Sequence, residues 1–67
     1  MPDIIRIAGS AIIMFSANTP AAELWMEEMY GRTKIYFHVP IDHERLKLFV
    51  RAATAHGFTI AEGTGAG

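Results

Sequence analysis

The stretch "IIRIAGSAIIMFSA", residues 4–17, decides the fold. It is almost uncharged and close to the N-terminus, so it reads as a targeting segment, a membrane span or paired strands. A signal peptide places positive charge ahead of its apolar core. Here Asp3 comes first, and Arg6, the one basic residue, lies inside the apolar run. A transmembrane helix needs roughly 20 apolar residues, and Arg6, Gly9, Ser10 and Ser16 interrupt a run that is already shorter. Neither targeting nor membrane insertion is expected.

A hairpin fits better. Gly9-Ser10 suits a two-residue type II′ loop with the glycine at positive φ. The flanks are rich in β-branched isoleucine. Pairing across that loop sets Ala8 opposite Ala11, Ile7 opposite Ile12, Arg6 opposite Ile13 and Ile5 opposite Met14. Ile5, Ile7, Ile12 and Met14 then share one face, and Ile4, Arg6, Ala8, Ala11, Ile13 and Phe15 share the other. Both faces are largely apolar, which predicts a sheet covered on two sides by helices, a second subunit or a partner. One long bent strand is the rival reading.

Further along, "NTPAAELWMEEMYG" reads as a helix capped by Asn18 or Thr19, with Pro20 in the first turn and Gly31 at the αL stop. Ala22, Trp25, Met26 and Met29 form its apolar stripe. "RTKIYFHVP" alternates, with Ile35, Phe37 and Val39 on one side and Lys34, Tyr36 and His38 on the other. "IDHERLKLFVRAATAHG" is a second helix, capped by Asp42, ended by Gly57, with Leu46, Phe49, Val50 and Ala53 as its core stripe. Residues 58–60, "FTI", read as a final strand. The expected fold is α/β (α+β): a small mixed four-stranded sheet, order β-β-α-β-α-β, with two helices packed on it. One domain over residues 1–60 and a flexible tail over 61–67 complete the organisation.

Composition narrows the function. The chain has 67 residues, 51% of them apolar, and a net charge of −1. So much apolar surface on so small a domain favours self-association or a partner. Cysteine is absent, which excludes disulfides and thiolate zinc sites and fits a cytoplasmic location. His38, His43 and His56 form no HExxH pattern, and no metal or other cofactor is expected. His56, just before Gly57, suits the negative end of the second helix. Ser10 and Ser16 lack a nucleophile-elbow context, and the terminal "GTGAG" precedes no helix that could cradle phosphate. Glu23, Glu27 and Glu28 fall opposite the core stripe of the first helix, as a solvated face does.

What remains is surface. On helical wheels Leu24 lies between Glu27 and Glu28 away from the core, and Leu48, Ala52 and Ala55 lie away from Leu46, Phe49 and Ala53. The expected function is a non-enzymatic protein-interaction module, with Leu24, Glu27, Glu28, Tyr36, His38, Leu48 and Arg51 as partner-binding residues. Small single-domain chains of this kind are common among phage and plasmid accessory proteins, anti-CRISPR inhibitors included. The expectation is therefore steric inhibition of a host protein complex, though no residue motif ties the chain to such a family. The alternative is a small nucleic-acid-binding or regulatory domain, a homodimer through its sheet, using Arg32, Lys34, Lys47 and Arg51 near Tyr36. The lack of basic excess argues against nucleic acid.

Overall fold

A computed structural model describes residues 1–63. The elements are β1 (Ile4–Ala8), β2 (Ile12–Ala17), α1 (Pro20–Tyr30), β3 (Lys34–His38), α2 (His43–Ala55) and β4 (Ile60–Glu62). The four strands form one mixed sheet in the order β3-β2-β1-β4, antiparallel except for the parallel β1–β4 pair. This is the α+β fold expected from the sequence.

The hairpin forms, but in a different register. Ala8 pairs with Ile13, Ile7 with Met14, Arg6 with Phe15 and Ile4 with Ala17. Each partner thus lies two residues beyond the expected one. Gly9 donates its N–H to the Ile12 carbonyl at 2.7 Å, so Ser10 and Ala11 form the loop. Among the described residues only Gly31 and Gly57 have positive φ, so the turn is not built on a left-handed Gly9. A shift of two leaves every side chain on its face, which is why hydrophobic alternation cannot distinguish the registers. Tertiary contacts do. The observed register carries β2 to Ala17, whose N–H reaches the Thr33 carbonyl at 2.9 Å and helps anchor β3.

One face of the sheet holds the core. Ile4, Phe15, Ile35 and Phe37 pack there against Ala22, Trp25 and Met26 of α1 and Phe49 and Ala53 of α2. Phe49 is the hub. Its ring lies 4.7 Å from Phe15, 5.5 Å from Tyr30, 5.8 Å from Trp25 and 5.9 Å from Phe37. Both helices therefore cover the same side. Met29, expected in the α1 stripe, is 60% exposed. Tyr30 takes its place, packing edge-on against Trp25 and tilted against Phe49. Ala52, expected away from the core, packs against it. Val39 lies past the end of β3 and is exposed.

Punctuation follows the residue types closely. Thr19 caps α1 by accepting the Ala22 N–H, Pro20 opens the helix, and Gly31 closes it at φ 78°. Asp42 stands at the N-cap of α2 but makes no side-chain cap bond to that helix. Its carboxylate instead accepts the His38 N–H at 2.8 Å, and its own N–H donates to the His38 carbonyl at 2.6 Å. The last strand begins two residues later than expected. Phe58 is held back against the core cluster beside Trp25, and Thr59 bonds to Asp3 rather than joining the ladder. Residues 61–63, expected in the tail, are thus in or beside the sheet, with Arg6 and Glu62 in a 2.6 Å ion pair. The rest of the expected tail, 64–67, lies outside the described residues.

Asp3 ties three segments together. It accepts from the Thr59 N–H at 3.0 Å and from the hydroxyls of Thr19 and Thr59 at 3.0 and 3.3 Å. The Thr59 N–H, then the Thr19 hydroxyl, hold its carboxyl below the usual 3.8.

Candidate functional site

Strand alternation sends every second residue to the side that carries no helix. The registers place those residues in rows. Ile7, Met14 and Tyr36 lie side by side across β1, β2 and β3. Ala61, Ile5, Ser16 and Lys34 form the row on one side, and Ile12 and His38 the row on the other. None of these residues belongs to the core cluster. Ile12 is 40% and Tyr36 56% exposed. Ile5, Ile7 and Met14 are partly buried, and among the described residues no helix packs over them.

The face has an apolar centre, with Ser16, Lys34 and His38 towards the β3 side. Gly63 bounds it at the other end. Its N–H donates to the Arg6 carbonyl at 2.8 Å, and a Cβ added there would stand 2.5 Å from Cγ2 of Ile5. Only a glycine lets the chain leave β4 this close to the isoleucines.

The seven residues expected to bind a partner do not meet on one surface. Tyr36 and His38 project from this open face. Leu24, Glu27 and Glu28 are exposed on α1, and Leu48 and Arg51 on α2, in the layer that covers the opposite side. Ile5, Ile7, Ile12 and Met14 are absent from that set. Their alternation in the sequence already placed them together on one face. What sequence could not supply was the side on which the helices pack.

The histidines are dispersed. The His38 imidazole lies 3.8 Å from the Asp42 carboxylate. His56 caps the end of α2, 5.2 Å from Trp25 and stacked on Phe58 at 5.9 Å. Among the described residues no three of His, Cys, Asp or Glu are grouped to hold a metal ion, and no helix is long and apolar enough to cross a membrane. No protein-family model, curated protein or solved structure matches the chain. The case for function therefore rests on its surface.

Proposed function

We propose that the protein is a non-enzymatic interaction module that binds a protein partner through the open face of its sheet. The observation that carries this reading is the Ile7–Met14–Tyr36 row with Ile5 and Ile12 beside it, an apolar surface over which no helix packs among the described residues. An apolar centre with polar groups at its margin is the usual composition of a protein interface. Apolar side chains gathered on one face favour protein over nucleic acid, and a net charge of −1 gives the chain no general attraction to phosphate. The mode of action that fits is occlusion. A small domain laid sheet-first on a host complex blocks a ligand site or an assembly surface, as an accessory inhibitor of the phage or plasmid type does. A second copy of the chain is the other occupant to be tested for the same face.

The test compares tagged wild-type protein with Met14→Glu and Leu24→Glu in nuclease-treated lysate of the native host. Urea unfolding checks that both variants fold. A charge in the centre of the face is expected to cost at least ~2 kcal/mol of binding. The reading requires a stoichiometric complex held by wild type and Leu24→Glu and lost by Met14→Glu. Equal recovery by Met14→Glu refutes it. Sedimentation equilibrium on the purified proteins reads the alternative: a wild-type dimer that Met14→Glu dissolves assigns the face to self-association.

A further inference from the structure

The β3 edge carries a second surface, which adjoins the open face at Lys34 and Tyr36. β3 is the outermost strand on its side of the sheet. Ala17 donates its N–H to the Thr33 carbonyl and Val39 donates to the Ala11 carbonyl, at 2.9 and 3.0 Å. In an antiparallel ladder this parity turns the backbone groups of Thr33, Ile35, Phe37 and Val39 towards β2, and those of Lys34, Tyr36 and His38 outward. Asp42 satisfies His38 by accepting its N–H and donating to its carbonyl. By this parity the N–H and C=O of Lys34 and Tyr36 face away from β2, on the side where the sheet ends. They are spaced two residues apart, as an added strand requires.

Beside this edge is an open pocket of about 280 Å³ lined by Tyr30, Arg32, Ile35, Tyr36 and Arg45. Its volume is near the lower end of the ~300–1,000 Å³ of small-molecule sites, room enough for a single side chain. Its charged lining is entirely cationic, and Lys34 adds a third positive charge along the strand. Arg45 is 3.7 Å from Asp42 with its side chain 77% exposed, and Arg32 has no ion pair among the described residues. A second copy of β3 is a poor occupant. Pairing two such edges would bring both sets of Arg32, Lys34 and Arg45 together, and charged edges resist self-pairing for this reason.

We infer that the β3 edge receives an extended acidic peptide as a fifth strand, with a carboxylate of that peptide held in the Arg32–Arg45 pocket. The backbone of the peptide bonds to Lys34 and Tyr36. Alternate side chains of the added strand fall on the helix side next to Ile35, where the pocket lies. Guanidinium forks bind carboxylates through charge-assisted, often paired, hydrogen bonds, and the hydroxyls of Tyr30 and Tyr36 are further donors.

The test is an amide and arginine-Nε NMR titration of the full chain with a pool of capped nonapeptides. Each carries a fixed central glutamate and a degenerate mixture of threonine, valine, serine and asparagine elsewhere, so the pool is net acidic. The expected result is saturable shifts centred on the Lys34 and Tyr36 amides and on Arg32 and Arg45. Affinity is expected to fall about tenfold for a matched central-glutamine pool and for Arg32→Gln or Arg45→Gln, and to weaken with added salt. Shifts that miss the β3 amides, absence of a saturable response, or equal binding of the glutamine pool overturns the inference. So does tighter binding of oligothymidylate at the same residues, which makes the edge a nucleic-acid surface.

Discussion

Adjacent isoleucines in β1 offer a direct measure of a sheet covered on one side. Ile4 is fully buried in the core, and Ile5 points to the open face. Replacing either by alanine removes the same three carbons. At Ile4 the transfer term is about 2.4 kcal/mol, from ~0.8 per methylene. A cavity enclosed by the two helices adds about 1 kcal/mol more, giving a loss of ~3–4. At Ile5 part of the side chain is already in water and solvent fills the vacated space, so the expected loss is ~1–2 kcal/mol. Both figures matter in a domain whose total stability is on the order of 3–10 kcal/mol at this length. Urea unfolding read by fluorescence is the assay, since the single tryptophan, Trp25, is only 6% exposed. Ile4→Val, with an expected loss of ~0.5–1.5 kcal/mol, supplies the same comparison if Ile4→Ala does not fold. Losses at Ile4 and Ile5 within ~0.5 kcal/mol of each other, at low and high protein concentration alike, would refute a one-sided sheet. A large Ile5→Ala loss that grows with protein concentration would mean a second copy covers the face.

Other expectations are as specific. Gly63→Ala pushes a methyl against Ile5 and is expected to cost about 1 kcal/mol in the same assay. Asp3 is held below its usual value in the folded state, so its contribution is present above the unfolded value and is lost as pH falls through the folded one. Midpoint denaturant plotted from neutral pH downward should therefore drop below about pH 4, and Asp3→Asn should lower the neutral plateau and flatten that drop. Leu24→Ser and Leu48→Ser alter exposed positions on the two helices, and their unfolding free energies should stay within about 0.5 kcal/mol of wild type.

Local chemistry made much of the architecture legible. Thr19-Pro20 and Gly31 bound α1 because a hydroxyl acceptor, a preset φ and a missing Cβ act within one turn of chain. Alternation placed Ile35 and Phe37 inside and Tyr36 outside, as observed. It also sorted Ile5, Ile7, Ile12 and Met14 to one face whatever the hairpin register, because strand side chains repeat every two residues. The same period made a two-residue register error invisible. Met29 and Tyr30 compete for the last turn of α1, and only the position of Phe49 on the neighbouring helix selects Tyr30. The start of β4 likewise depends on Phe58 reaching Trp25 and on Thr59 meeting Asp3, more than fifty residues away in sequence. The candidate site divides in the same way. Sequence by itself determined which side chains share a face, through short-range periodicity. Tertiary structure alone decided that both helices pack over Phe15 and Phe37, on the face opposite Ile7, Met14 and Tyr36, because that choice is made by contacts between elements distant along the chain.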